Sequence, residues 1–217
     1  MFDVVIIGGA MIGSSVAWFL SHNDDFDGRI LVVERDPTYE KSSTAHTNSC
    51  MRQQFSSELN IRISQFAADF VRDFRDYMGG DPAVPDLHVH HFGYMYLADN
   101  ETFASRLKQS HAIQAGCGAG TRLMSPGEIS AAYPFYQLDD IVLGSHNIVD
   151  EGYFDGATMF DWWRYKARQK NVCYIANDVV DIGIDAGRVT DITLASGSVI
   201  RTGIVINAAG PRAASVA

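Results

Sequence analysis

The chain is short of cysteine, of proline and of positive charge. Its 217 residues include three cysteines and six prolines, and 17 lysines and arginines stand against 26 aspartates and glutamates for a net charge of −9. Cys50, Cys117 and Cys173 are odd in number and far apart, which suits a reducing compartment better than a disulfide framework. No pair has C-x-x-C spacing, so the thiols read as buried and inert rather than as zinc ligands or a redox couple. There is no run of lysine or arginine, which argues against nucleic acid as a partner. No apolar run approaches the length that spans a bilayer. The first residues already read as a core strand, which leaves no room for a signal peptide, and a cytoplasmic location is the expectation. Internal repeats and low-complexity segments are also absent, and 47% hydrophobic with 20% charged residues is an ordinary globular composition, enough for one or two domains.

What is present is concentrated in the first fifty residues. Asp3-Val4-Val5-Ile6-Ile7 is an apolar run, Gly8-Gly9-Ala10-Met11-Ile12-Gly13 follows, and Ser14 to Leu20 is helix-like. A second apolar run, Arg29 to Val33, stops at Glu34. Strand, glycine turn, helix, strand and acid form the layout of a dinucleotide-binding βαβ unit. The turn from Gly8, Gly9 and Ala10 to Ile12 and Gly13 is the candidate pyrophosphate site, because a helix start offers unpaired N–H groups and a partial positive charge. Gly8 permits the tight turn and Gly13 lets the helix pack closely. Glu34 is placed to accept hydrogen bonds from ribose hydroxyls, and its charge disfavours a 2′-phosphate. Ala10 stands where the pattern usually has its middle glycine; a negative φ would accommodate it, with Gly9 supplying the lost freedom.

Beyond this unit, Ser42 to Ser49 is small and polar and reads as a loop. Leu59, Ile63, Phe66, Ala67, Phe70, Val71 and Phe74 recur at helical steps and predict an amphipathic helix from 59 to 77. Leu87 to Ala98 reads as strand or hairpin, with Phe92, Tyr94 and Tyr96 packing. Within it His88 and His90 share a face, but no carboxylate or cysteine partner is near, so these histidines read as surface residues and no metal is expected. Helices are predicted over 101–115, from the Ser125-Pro126 start, and over 156–170, where Trp162-Trp163 packs on a sheet. Strands are predicted over 141–149, 172–175, 179–184, 189–194 and 198–207.

Four segments resemble FAD-dependent oxidoreductases of the D-amino-acid oxidase type, a group that includes sarcosine oxidase, glycine oxidase and dimethylglycine dehydrogenase. They are Asp3 to Gly13 with Glu34-Arg35; Ser42 to Phe55; Gly152-Tyr153-Phe154-Asp155 before a helix; and Val205-Ile206-Asn207-Ala208-Ala209-Gly210-Pro211. Ala10, Gly156 in place of a proline and Arg212 in place of a tryptophan depart from the family's pattern. The resemblance implies an α/β fold: a Rossmann-like FAD-binding domain, residues 1–81 and 151–217, interrupted by a partial α+β substrate domain over 82–150. It further implies an amino-terminal portion, with a carboxy-terminal half of the same enzyme completing both sites, so that the fragment alone is expected to be inactive and to hold FAD weakly.

The same resemblance implies the chemistry. FAD would accept a hydride from a small amine or amino acid, sarcosine-like, N-methyl or secondary, and electrons would pass to oxygen or to another acceptor. Alternatives are a 2-hydroxy-acid or glycerol-phosphate oxidising flavoenzyme, or a non-catalytic assembly subunit. Arg35 would flank the adenine and Val179 meet it with backbone. Ser43, Thr44 and His46 would lie along the loop near the cofactor, His46 unbonded to it. Ala208, Ala209 and Gly210 would let the chain pass close. Arg52 and Gln53 would both be cofactor-binding residues, and Arg52 is also the residue assigned to the reaction itself: its guanidinium suits a substrate carboxylate or a reduced, anionic flavin.

Overall fold

A computed structural model describes residues 1–216. In chain order the elements are β1 (Val4–Ile7), α1 (Met11–Ser21), β2 (Ile30–Glu34), β3 (Cys50–Met51), α2 (Glu58–Arg72), α3 (Phe74–Tyr77), β4 (Tyr94–Ala98) and α4 (Glu101–Gly116). There follow β5 (Arg122–Met124), α5 (Pro126–Ala132), β6 (Leu143–Asn147), β7 (Gly152–Tyr153), α6 (Gly156–Gln169), β8 (Cys173–Ala176), β9 (Val179–Asp185), β10 (Arg188–Leu194), β11 (Val199–Arg201) and β12 (Ile204–Asn207), with a 3-10 turn over Gly210–Ser215. They fall into two compact units, Met1–Thr47 with Gly156–Ala217, and Asn48–Asp155.

The first unit is built on a parallel sheet of order β12-β1-β2-β8. Its two central strands, VVII and ILVVE, are buried almost throughout, as parallel strands covered on both faces must be. Val5, Ile7, Leu31 and Val33 point to one face and form a core with Val179, Ile192 and Leu194 of the antiparallel meander β9-β10-β11. Ile6 and Val32 point to the other face, where α1 and α6 pack together; Trp163 is buried on α6. The meander and the parallel sheet are not joined by one long strand over 198–207, as the apolar pattern predicts. Thr202 is buried, donates its hydroxyl to the carbonyl of Ile204 at 3.0 Å, and breaks the run. Upstream residues pair antiparallel with β10, downstream ones parallel with β1.

The second unit holds an antiparallel sheet of order β4-β6-β5 and the two-stranded pair β3-β7. Serine 125 caps α5 with a complete capping box to Glu128 and proline at its first position. The helix predicted over 59–77 is interrupted at Asp73 (φ −102°, ψ 24°). Its inward face is Ile61, Ala68, Phe70 and Val71, continued by Phe74, whereas Leu59, Ile63 and Phe66 are exposed. Only Tyr94–Ala98 of the predicted 87–98 strand pairs in the sheet; His90 makes a single bridge to Tyr153.

Residues 48–81 and 151–155 belong to this unit, not to the dinucleotide unit as the boundaries at 81 and 150 would have it. The reason is pairing across a long loop: Cys50 pairs with Tyr153 and Met51 with Gly152, the Phe154 N–H donates to the carbonyl of Ser49, and Gln65 on α2 donates to the carbonyl of Cys117. The expectation of three buried thiols is corrected as well: Cys117 is buried, but Cys50 and Cys173 are exposed, the first on the short strand β3 and the second on β8 at the edge of the parallel sheet.

Candidate functional site

The carboxyl ends of β1, β2 and β12 open on a cleft of about 450 Å3 within the first unit. Gly8 turns the chain out of β1 at φ +94°, a conformation that favours glycine, and a Cβ there would lie 2.5 Å from the carbonyl oxygen of Ala208. Ala10 has φ −72° and accepts its methyl group without strain. The conformational freedom the turn needs is therefore supplied by Gly8; Gly9 keeps φ out of the left-handed range.

Gly9 and Gly13 are needed for room. A Cβ on Gly13 would fall 1.8 Å from the carbonyl oxygen of Gly8, and one on Gly9 would fall 3.0 Å from Val32 and 3.1 Å from the Tyr39 hydroxyl. Neither glycine lines the cleft; both pack behind the turn that does. The Gly9 N–H donates to Glu34 Oε2 at 2.7 Å, and the Asp36 N–H donates to Glu34 Oε1 at 2.8 Å. Each carboxylate oxygen keeps a free lone pair for a ligand hydroxyl. At the start of α1 the Met11 N–H donates to Thr44 Oγ1 at 3.1 Å, and the other N–H groups of the first turn have no intrahelical acceptor.

Of the residues singled out in the sequence, Gly8, Ala10 and Ile12, Glu34 and Arg35, and Ser43 and Thr44 all line this cleft. Val179 and the run Ala208, Ala209 and Gly210 line it too. His46 is exposed in the turn that follows Thr44 and does not reach the lining. Tyr39 and Lys41 line the cleft without having been anticipated. Tyr39 is buried at φ +60°, with Phe160 edge-on at 5.0 Å and the Arg164 guanidinium 4.6 Å from its ring centroid. Burial pushes its phenol above the usual tyrosine range. An aromatic residue in the left-handed region is strained, and here the surrounding packing holds it. The signal for it was slight: one aromatic residue in an otherwise polar loop.

Arg52 and Gln53 lie in the second unit. Arg52 is half-buried, its guanidinium 4.8 Å from the Phe55 ring centroid and its Nε buried without a hydrogen-bond partner. Tyr94 stands nearby: burial first, then Cys50, raises its phenol to about 12, against the opposing charge of Arg52. Gln53 is buried, and its polar atoms are engaged with Glu151, Val149 and Gln65. Glu151, wholly buried, went unnoticed in the sequence; the polar triplet Ser145-His146-Asn147 inside an apolar strand was the signal that a buried polar cluster lay there. Among the described residues no group of three or more His, Cys, Asp or Glu side chains is placed to hold a metal ion, and no helix is long and apolar enough to cross a membrane.

The family described as DAO, FAD dependent oxidoreductase, matches residues 3–217. The chain is 34% identical over 183 residues to FAD-dependent oxidoreductase domain-containing protein 1 of Xenopus laevis, covering 82% of this chain and 36% of that protein. It is 24% identical over 225 residues to the mitochondrial sarcosine dehydrogenase of Mus musculus, covering 99% of this chain and 23% of that one. Among solved structures, L-proline dehydrogenase from P. horikoshii superposes with a TM-score of 0.79 at 22% identity, over 99% of this chain and 54% of that one. At that identity the likeness is one of fold. The chain thus spans about a third of the length of the first relative and about half of the superposed structure.

Proposed function

The chain belongs to the DAO family of FAD-dependent oxidoreductases, and from that premise we propose that it forms the cofactor-holding part of a flavoenzyme that oxidises a small amine or amino acid. The observation that carries the reading is the cleft at the carboxyl ends of the parallel strands, with a glycine turn, a helix start and a backbone-held glutamate on its wall. That donor set fits FAD. Gly8 approaches Ala208 too closely for any side chain, so backbone and not Cβ faces the ligand there. When bound, FAD supplies the two-electron acceptor for oxidation of a carbon–nitrogen bond.

Each residue then has a part. The N–H groups about Ala10, Ile12 and the first turn of α1 hold the pyrophosphate, aided by the helix's positive end. Glu34 accepts from the ribose hydroxyls with the lone pairs its two backbone donors leave free. Arg35 and Val179 border the adenine, Ser43 and Thr44 the pyrophosphate, and Ala208 to Gly210 leave room for the ring system. Gly9 and Gly13 act by holding the turn, and His46 stands beside the cofactor loop without bonding to it. Arg52 takes the substrate's carboxylate, which orients the amine, and Gln53 fixes its segment. The names of the relatives, a sarcosine and a proline dehydrogenase, support a secondary or N-methylated amino acid as substrate. The remaining length of the relatives would supply the rest of the substrate site, and electrons leave to oxygen or another acceptor.

The test is a visible spectrum of the full-length protein, followed by titration with FAD. Flavin absorption, and tighter binding of FAD than of NADP, are the expected results. A colourless protein that also fails to bind added FAD would end this reading.

A further inference from the structure

Glu151 is fully buried, and three N–H donors converge on it. Oε1 accepts from the backbone N–H of Gln53 at 2.7 Å and from Asn147 Nδ2 at 3.0 Å; Oε2 accepts from Gln54 Nε2 at 2.9 Å. No lysine or arginine is among its hydrogen-bond partners. The backbone is bent to bring it there. Asp150 has φ +53° and turns its carboxylate outward to Arg72 at 3.2 Å, while a Cβ on Gly152 would fall 1.8 Å from the carbonyl oxygen of His90. One carboxylate thus holds two successive residues, Gln53 and Gln54.

Those two residues form the middle of a hook that carries Arg52. Gln54 also donates to the carbonyl of Tyr94 at 3.0 Å and accepts from the Ser145 hydroxyl at 2.8 Å. The Phe55 N–H donates to the carbonyl of Gln53 at 2.7 Å, and the carbonyl of Phe55 accepts from Gln114 at 3.0 Å. The Phe55 ring, so placed, is the surface on which the Arg52 guanidinium lies. Its orientation is set by the hook and by a ring face, and its Nε–H is left without an internal acceptor.

We propose that Glu151 is a positioning residue: by holding Gln53 and Gln54 it fixes the hook so that Arg52 presents its guanidinium to a ligand carboxylate. Its use for a substrate rests on the reading of Arg52 given above. A carboxylate suits the task because every neighbour is a donor; an amide in its place would set one of its own N–H groups against one of them. The geometry also separates the two acidic neighbours by task, Asp150 to a surface ion pair and Glu151 to the interior.

The experiment is nitrogen-15 NMR of the arginine Nε–H groups in the full-length protein. Arg52→Lys identifies the Arg52 signal by its loss. In Glu151→Gln that signal should shift, and its hydrogen exchange should quicken about tenfold, while amides of α4 and α5 keep their protection. Gln54→Met, which removes one donor and leaves the carboxylate in place, should give a smaller change in the same direction and serves if Glu151→Gln does not fold. An unchanged Arg52 signal in the variants would overturn the proposal, and so would a uniform loss of protection across the unit, which marks general support. Titration with sodium propionate separates the two readings. If propionate leaves the wild-type Arg52 signal in place while Glu151→Gln loosens it, the carboxylate role of Arg52 fails and the positioning role stands.

Discussion

The cleft at the carboxyl ends of the parallel strands and the Arg52 hook are built by opposite means. In the cleft the working groups are backbone: the left-handed turn at Gly8, the N–H groups of α1, and the small residues Ala208 and Ala209. In the hook they are side chains, Gln53, Gln54, Gln114, Ser145, Asn147 and Glu151, joined across the chain. Backbone sites depend on the absence of side-chain atoms, so they fail abruptly when atoms are added. Side-chain networks depend on complete pairing, so they fail by degrees when a partner is removed.

The sharpest way to test that contrast is to add one carbon to the cleft. Gly13→Ala would place its Cβ 1.8 Å from the carbonyl oxygen of Gly8, between two pieces of backbone that have no rotamer to change. The expected loss is more than about 3 kcal/mol, at the upper end for overpacking, measured by urea unfolding. A loss within the range of an ordinary surface substitution would show that the turn yields, and the distinction between the two regions would fall.

Removing a partner from the hook is the next largest change. Glu151→Ala leaves the donors of Gln53, Gln54 and Asn147 to one another and should cost about 2 to 3 kcal/mol. Glu151→Gln adds a pH test. Burial holds this carboxyl above its ordinary range, with hydrogen bonds from Gln54, Gln53 and Asn147 pulling it partly back. The folded chain therefore binds that proton more tightly than the unfolded chain. The associated stability is present below the unfolded value and lost as the pH rises through the folded one. The stability of the wild type minus that of Glu151→Gln should accordingly fall as the pH rises from the ordinary carboxylate range. A flat difference would show that the side chain titrates as it does in water.

The same contrast decides what could be read from the sequence. The places of the glycine turn and of Glu34 were legible because they follow from local spacing and from backbone geometry that few residues tolerate. Ala10 was legible for the same reason: the condition on it was a negative φ, and φ is −72°. Glu151 was harder to read, since the two glutamines it holds lie 98 and 97 positions away and only the polar run that ends at its partner Asn147 hints at it locally. The break between β11 and β12 escaped because the switch turns on the Thr202 hydroxyl, which satisfies backbone that an apolar pattern does not report. On α2 the residues at helical steps form two stripes, and only tertiary packing selects Ile61, Phe70 and Val71 over Leu59, Ile63 and Phe66 for burial.

A smaller effect is expected at Glu34, where a side chain serves the backbone site. Glu34→Ala strips the acceptors from the N–H groups of Gly9 and Asp36 and should cost about 1 to 2 kcal/mol. Because the same oxygens are proposed to take the ribose hydroxyls, FAD binding measured by titration should weaken about tenfold or more. Glu34→Gln keeps one acceptor and should fall between. Unaltered FAD affinity in both variants would leave Glu34 as a turn-holding residue only.

The smallest effect is at Thr44, and it tells most about how the cleft is finished. Its hydroxyl accepts from the Met11 N–H at 3.1 Å, so it serves as an acceptor for the first turn of α1 from outside the helix. Accepting leaves the hydroxyl proton free to donate toward the cleft that Thr44 lines. Thr44→Val keeps the shape and removes both functions. It should cost about 1 kcal/mol of stability, the usual scale of a lost helix cap, and weaken FAD binding by a similar free energy. Thr44→Ser should restore both, because it returns the hydroxyl with only a methyl group missing. If Thr44→Val loses stability and still binds FAD as the wild type does, the hydroxyl is a cap alone and the anion is held by backbone without side-chain help. If affinity falls and stability does not, the bond to Met11 is incidental and the loop belongs to the ligand.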